Sequence, residues 1–180
     1  MAERGSRRRV RRRPLLLGLL AVGVVGGVVI FALQSRPDAA GTDAVRLGDA
    51  YVGTDYAFDG TLCLDSPVVE AEVLSIEVEQ APGSTTRVLV PGEDARVTLG
   101  FPVQDDSGEV PEGYVVPAGE TDCTLRVLVT PQEQGTVQAG TVRVRLGYGP
   151  FGLLRRTAEV QPDVVLEVSG TGTDPRGEAS

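Results

Sequence analysis

Histidine, lysine, asparagine and tryptophan do not occur in this 180-residue chain, and each absence removes chemistry. Without histidine there is no Ser-His-Asp or Cys-His nucleophile system and no histidine-ligated zinc. Without lysine there is no Walker-type phosphate loop, and all 17 cationic side chains are arginine. The lack of tryptophan, with 4% aromatic residues overall, leaves little to stack on a sugar. Two cysteines are too few for a disulfide-dense scaffold, and 41% hydrophobic residues are too many for a disordered chain. The length holds one domain of ordinary size, about 100 to 150 residues, plus appendages.

What is present is sharply partitioned. Residues 1–13 carry seven arginines (Arg4, Arg7, Arg8, Arg9, Arg11, Arg12 and Arg13) against Glu3, a net of +6, whereas residues 34–180 set ten arginines against 24 carboxylates, a net of −14. So acidic a portion disfavours a polyanionic partner, and the basic head is read in context: it abuts the uncharged run 14–33 rather than a nucleic-acid-binding fold. Twenty residues of helix at about 1.5 Å each span about 30 Å, the hydrocarbon thickness of a bilayer. The arginines resist translocation, which puts the N-terminus in the cytoplasm and the acidic portion outside. A cleaved secretory signal is the competing reading. Its apolar stretch is usually about 7 to 15 residues ending in small-x-small, and the sequence instead runs on through Phe31, Ala32, Leu33, Gln34, Ser35 and Arg36. An uncleaved signal anchor is therefore expected. Gly23 and Gly27 form a G-x-x-x-G pair, the spacing for weak homodimerisation through the span.

The expected organisation is a cytoplasmic head (1–13), a transmembrane anchor (14–33), a linker (34–43), an extracytoplasmic all-β domain (44–168) and a tail (169–180). Val- and Thr-rich segments punctuated by Pro-Gly, Asp-Gly and Ser-Gly signals predict antiparallel strands. Cys123, Leu125, Val127 and Val129 share one parity, with Thr124, Arg126 and Thr130 on the other, predicting one buried and one wet face. Val97, Leu99 and Phe101 alternate likewise, as do Val142, Val144 and Leu146 against Arg143 and Arg145, and Val164, Leu166 and Val168 suggest a last strand. In 69–79 the parity switches between Val73 and Leu74, which requires a β-bulge or a bend. About seven or eight strands result, at spacings typical of a sandwich. An oxidising compartment and an even cysteine count predict a Cys63–Cys123 disulfide.

With these features the chain resembles small single-pass envelope proteins of high-GC actinobacteria that carry an extracytoplasmic immunoglobulin-like β-sandwich. The resemblance covers the head, the span and 44–168, and rests on the cysteine separation, the alternation and the arginine-only, asparagine-free composition. It implies location and scaffold rather than chemistry. The chain departs from antibody-type domains in lacking a core tryptophan and in placing three strands after Cys123.

Three constellations bear on function. Tyr148, Phe151 and Leu153, flanked by Arg143, Arg145, Arg155 and Arg156, suggest a contact tip for a phosphate-bearing envelope polymer, lipid headgroups or an acidic protein partner. Salt bridges to Glu70, Glu72, Glu77 and Glu79, with Phe151 and Leu153 capping the core, are the structural alternative. Asp105, Asp106 and Glu109, and separately Asp55, Asp59 and Asp65, offer oxygen ligands but not EF-hand spacing, so no metal is expected and a calcium-stabilised adhesion module stays an alternative. A carboxylate pair acting on envelope polymers would need a sugar cleft that the few aromatics do not furnish. The expectation is a non-enzymatic, cofactor-free module that binds or props an envelope protein or polymer.

Overall fold

The computed structural model describes residues 23, 26, 27, 30, 31, 34–42, 44–92, 99–103, 108–149 and 152–171. The chain divides into two compact units, Met1–Gln34 and Ser35–Ser180. In the first, Gly23, Gly26, Gly27, Ile30, Phe31 and Gln34 are helical. Space is open where a Cβ on Gly23 or Gly27 would lie. Among the described residues no helix is long and apolar enough to cross a membrane, and most of the run 14–33 lies outside them, as do the head arginines.

The second unit is all-β. Its strands are β1 (Asp38–Gly41), β2 (Val45–Val52), β3 (Tyr56–Asp59), β4 (Leu62–Ser66), β5 (Ala71–Glu79), β6 (Ser84–Pro91), β7 (Leu99–Pro102), β8 (Gly108–Glu109), β9 (Val115–Val116), β10 (Glu120–Asp122), β11 (Arg126–Pro131), β12 (Gly135–Gln138), β13 (Thr141–Tyr148), β14 (Leu154–Val160) and β15 (Val164–Thr171). They form four ladders, ordered β1-β4-β10, β7-β3-β11-β6-β8, β12-β15-β2 and β14-β13-β5-β9. The larger number of segments than expected comes partly from short added strands such as β1, β8 and β9 and partly from interruptions. β3 and β4 are separated only at Gly60 and Thr61, β10 and β11 at 123–125, β12 and β13 at Ala139 and Gly140, and β14 and β15 at 161–163. Gly60, at φ +74°, supplies a left-handed step that a side chain would resist. Continuity through these breaks joins the ladders into two groups whose inner faces share one core: Phe58, Leu64, Leu125 and Val127 from one, Val73, Val144, Leu146 and Leu166 from the other. The architecture is consistent with a β-sandwich, each fully buried Leu or Val adding about 1.5–3 kcal/mol.

The alternation read from sequence is realised on β13 and β15. Val142, Val144 and Leu146 are fully buried while Arg143 and Arg145 are exposed, and Val164, Leu166 and Val168 face the core. The parity switch in β5 is a bulge: Arg145 pairs with Ser75 and Leu146 with Val73, so Leu74 is the extra residue. Two expectations need correction. On β11, Arg126 and Leu128 are buried on the face expected to be wet; of the other residues of that face, Thr130 is half-buried and Thr124, just before the strand, is exposed. On the edge strand β7, Leu99 and Phe101 are 54% and 61% exposed, turned away from the core they were expected to join. The expected linker 34–43 also contributes β1, which pairs with β4 from Asp38↔Asp65 to Gly41↔Leu62.

Polar side chains of β6 stitch the two layers. The Thr86 hydroxyl accepts from the Gly140 amide at 2.8 Å, and Ser84 donates to the Gln138 carbonyl at 2.5 Å, satisfying backbone groups at the β12–β13 break. A Cβ on Gly140 would lie 2.5 Å from the Glu79 carbonyl oxygen. Gly140→Ala is accordingly expected to destabilise the domain by about 1–3 kcal/mol, because the obstructing atom is backbone. Urea melts of the two proteins check this.

Candidate functional site

Cys63 and Cys123 are joined by a disulfide across 60 residues. Antibody domains bridge their two sheets. Here the bridge instead joins neighbouring strands of one layer, and it sits where their ladder is interrupted. On one side Leu64 pairs with Asp122, and on the other Asp59 pairs with Arg126.

Polar clamps flank the bridge on both sides. The Asp59 carboxylate accepts from Arg126 Nε at 2.7 Å and Nη2 at 2.8 Å, a bidentate pair whose side chains are only 9% and 11% exposed. Its hydrogen bonds to Asp59 raise the Arg126 guanidinium above its ordinary value, against the opposing effect of burial. Across the bridge the Tyr114 hydroxyl donates to the Asp122 carboxylate, which also accepts from the Thr124 amide at 2.9 Å. Burial alone would raise the Asp122 carboxyl. The donors from Tyr114 and Thr124 outweigh it and hold the group below its ordinary value. Tyr114 is raised, chiefly by burial and then by its bond to that carboxylate.

Asp122, with a lowered pKa in the fold, contributes stability above the ordinary carboxylate range that is lost as pH falls through that range and below it. Tyr114, with a raised pKa, contributes stability below about pH 10 that is lost at higher pH. Removing the hydroxyl in Tyr114→Phe should lower stability at pH 6, and the gap from the parent should close as pH falls towards 2. Denaturant titrations at both values measure it.

The residues of the expected contact tip separate. Tyr148 is buried at 6% exposure, Leu153 stands 76% exposed, and Phe151 lies outside the described residues. Leu153 therefore does not cap the core, and Leu153→Ser is expected to change stability by no more than about 0.5 kcal/mol, read from thermal melts. Of the basic collar, Arg143 is held by Glu159 at 2.9 Å and Glu79 at 3.0 Å, which raise its guanidinium above its ordinary value. Arg156 is held by Asp38 at 2.6 Å. Arg145 lies opposite Ser75 and Thr157, and Arg155 opposite Gly147; neither meets a carboxylate at ion-pair distance among the described residues. The collar is thus divided: Arg143 makes the cross-strand pair to Glu79 that the structural alternative foresaw, Arg156 is also paired, and Arg145 and Arg155 carry no ion pair among the described residues.

Three of the carboxylates weighed as calcium ligands are engaged by other side chains. Asp55 is bound by Arg87 at 2.7 Å and by the Thr130 hydroxyl, Asp59 by Arg126, and Asp65 by the Thr121 hydroxyl at 2.8 Å. Asp105 and Asp106 lie outside the described residues, and among those described no group of three His, Cys, Asp or Glu is placed to hold a metal ion. A half-open cleft of about 270 Å³ at the β14–β15 break is lined by Gln138, Gln161, Pro162, Asp163 and Val164. It is smaller than most ligand pockets, which run from about 300 to 1,000 Å³. The Asp59–Arg126 pair was missed by sequence reasoning because parity put Arg126 on a solvated face. Opposite charges on two central strands were the signal available.

No family model and no curated protein matches the chain. Among solved structures it is similar to the secreted serine protease VesC from Vibrio cholerae, with 12% identity and a TM-score of 0.35 over 73% of this chain and 24% of that one. The chain thus spans about a quarter of that protein's length, and a likeness this slight carries no argument about fold or chemistry.

Proposed function

We propose that the chain is a single-pass, membrane-anchored protein of the cell envelope whose extracytoplasmic immunoglobulin-like sandwich binds or props another surface component without catalysing a reaction. The observation that carries this reading is the disulfide in an acidic all-β unit, placed after an uncharged run of 20 residues and a +6 head. Disulfides persist in oxidising compartments, and the arginines hold their own end inside. The immunoglobulin-like assignment draws support from strand order. The opening segment is split, β1 pairing with β4 in one layer and β2 running parallel to β15 in the other, while β5 and β13 are neighbours in the second layer. The single-layer disulfide and the absent tryptophan mark the departure from antibody domains.

Function by tethering needs only modest affinity, because confinement near the membrane raises the effective concentration towards neighbouring targets. The engagement of Asp55, Asp59, Asp65 and Asp122 in ion pairs and hydrogen bonds favours the binding reading over a carboxylate-pair hydrolase. Crosslinking in intact cells followed by identification of the captured partner tests the proposal. A reproducible envelope partner is expected. Turnover of an envelope polymer that is lost on changing one or two carboxylates to amides would replace the reading with the enzyme.

A further inference from the structure

The chain enters the sandwich at β1, and the residues around that entry share one end of the domain. Asp38, the first residue of β1, pairs with Asp65 at the far end of β4 and is bound by Arg156 near the start of β14. The same end holds the last rung of the β14-β13-β5-β9 ladder, Leu154↔Tyr148↔Ala71↔Val116. Val68 and Leu153 lie just beyond that rung in the chain, and Val115 lies one rung inside it. Their exposures are 46%, 76% and 43%, three apolar side chains in water at one end of the domain. Gly119, whose amide donates to the Ser66 carbonyl, closes a further loop there.

Between the apolar run 14–33 and Asp38 stand four residues, Gln34, Ser35, Arg36 and Pro37. Fully extended they reach about 14 Å. The headgroup zone on one side of a bilayer is about 5 to 8 Å thick. That reach lets the start of β1 stand no more than about 6 to 9 Å beyond the headgroups, and Pro37 is itself buried. We infer that this end of the sandwich, with Leu153 and Val68 foremost and Val115 beside them, docks on the lipid surface and buries these side chains at the boundary of headgroups and acyl chains. This inference rests on the anchored reading above. Glu70 and Glu120 share the end, so the apolar side chains rather than attraction to anionic lipid drive the contact, and a zwitterionic bilayer suffices. Arg36 and Arg155, both exposed, are placed to meet headgroup phosphates.

The test uses the full chain in phosphatidylcholine vesicles, carrying an environment-sensitive fluorophore at Leu153→Cys, at Val68→Cys or, as a control on the opposite end, at Gln134→Cys. Lipids bearing a nitroxide on the upper acyl chain are then introduced. The labels at 153 and 68 are expected to emit to the blue and lose most of their emission to the nitroxide, while the label at 134 keeps its own. If all three stay equally bright in vesicles that retain the protein, docking is overturned and anchoring stands. A blue shift that grows with protein-to-lipid ratio without nitroxide quenching would assign the surface to a second copy and also overturn docking. Protein that fails to float with the vesicles removes the anchor and the docking together.

Discussion

Asp59→Asn should destabilise the domain by about 3 to 5 kcal/mol, the cost of removing from a buried guanidinium the carboxylate that it meets through two short hydrogen bonds. Asp59 and Arg126 are only 9% and 11% exposed in their side chains and meet through two short hydrogen bonds. Such a pair owes little net stability to its own existence, since desolvation offsets most of the Coulombic gain, yet breaking it takes a bidentate partner from a charge buried between two central strands. The two effects are separable. Arg126→Met alone removes the guanidinium from the carboxylate and should cost a similar amount, whereas the double substitution Asp59→Leu with Arg126→Met should lose much less than the sum of the singles. Chemical denaturation of the four proteins completes the cycle. Additive losses would show that the pair is not a coupled unit.

Removing the disulfide is the second large effect. Replacing Cys63 and Cys123 by Ala, or reducing the bridge, frees a loop of 60 residues and is expected to lower stability by about 4 kcal/mol in the chain-entropy model. A domain of this size is commonly stable by about 5 to 15 kcal/mol, so the loss takes a large share and the melting temperature should fall by well over ten degrees. The bridge crosses a gap between the β4-β10 and β3-β11 ladders, so the first regions to lose protection from hydrogen exchange in the reduced protein should be residues 120–131 and 56–66. Uniform loss of protection across the sandwich would show that the bridge adds no local constraint on these strands to its effect on the unfolded chain.

How far the molecule can be read from its sequence depends on how a strand is covered. β13 and β15 were legible because each has one face on the core and one in water, so Val142, Val144 and Leu146 alternate cleanly with Arg143 and Arg145. The parity switch at Leu74 was legible for the same reason, since inserting one residue inverts a period of two; the β5–β13 register decides for a bulge over the bend that the sequence equally allowed. β11 misleads because this central strand buries Leu128 and a neutralised Arg126 where water was expected, and parity cannot distinguish a salt bridge from a solvated charge. β7 misleads in the opposite sense, since an edge strand can turn Leu99 and Phe101 outward without breaking its pairing with β3. The short β1 escaped because Asp38–Gly41 has no apolar pattern; it is a strand because β4 offers it an edge. Of the contact tip, sequence located the hairpin but not which arginines were spoken for. That depends on the β5–β13 register and on the proximity of Asp38 to Arg156.

The central claim is that the acidic module is held outside the cell by an intact N-terminal span. Spheroplasts expressing a Gln134→Cys variant, treated with a membrane-impermeant maleimide and then fractionated, test it most directly. The account predicts a full-length product in the membrane pellet after alkaline extraction, labelled at residue 134 without lysis, with Cys63 and Cys123 unreactive until reduced. A shortened product in the soluble fraction, or a full-length one labelled only after lysis with both native thiols reactive, would contradict it.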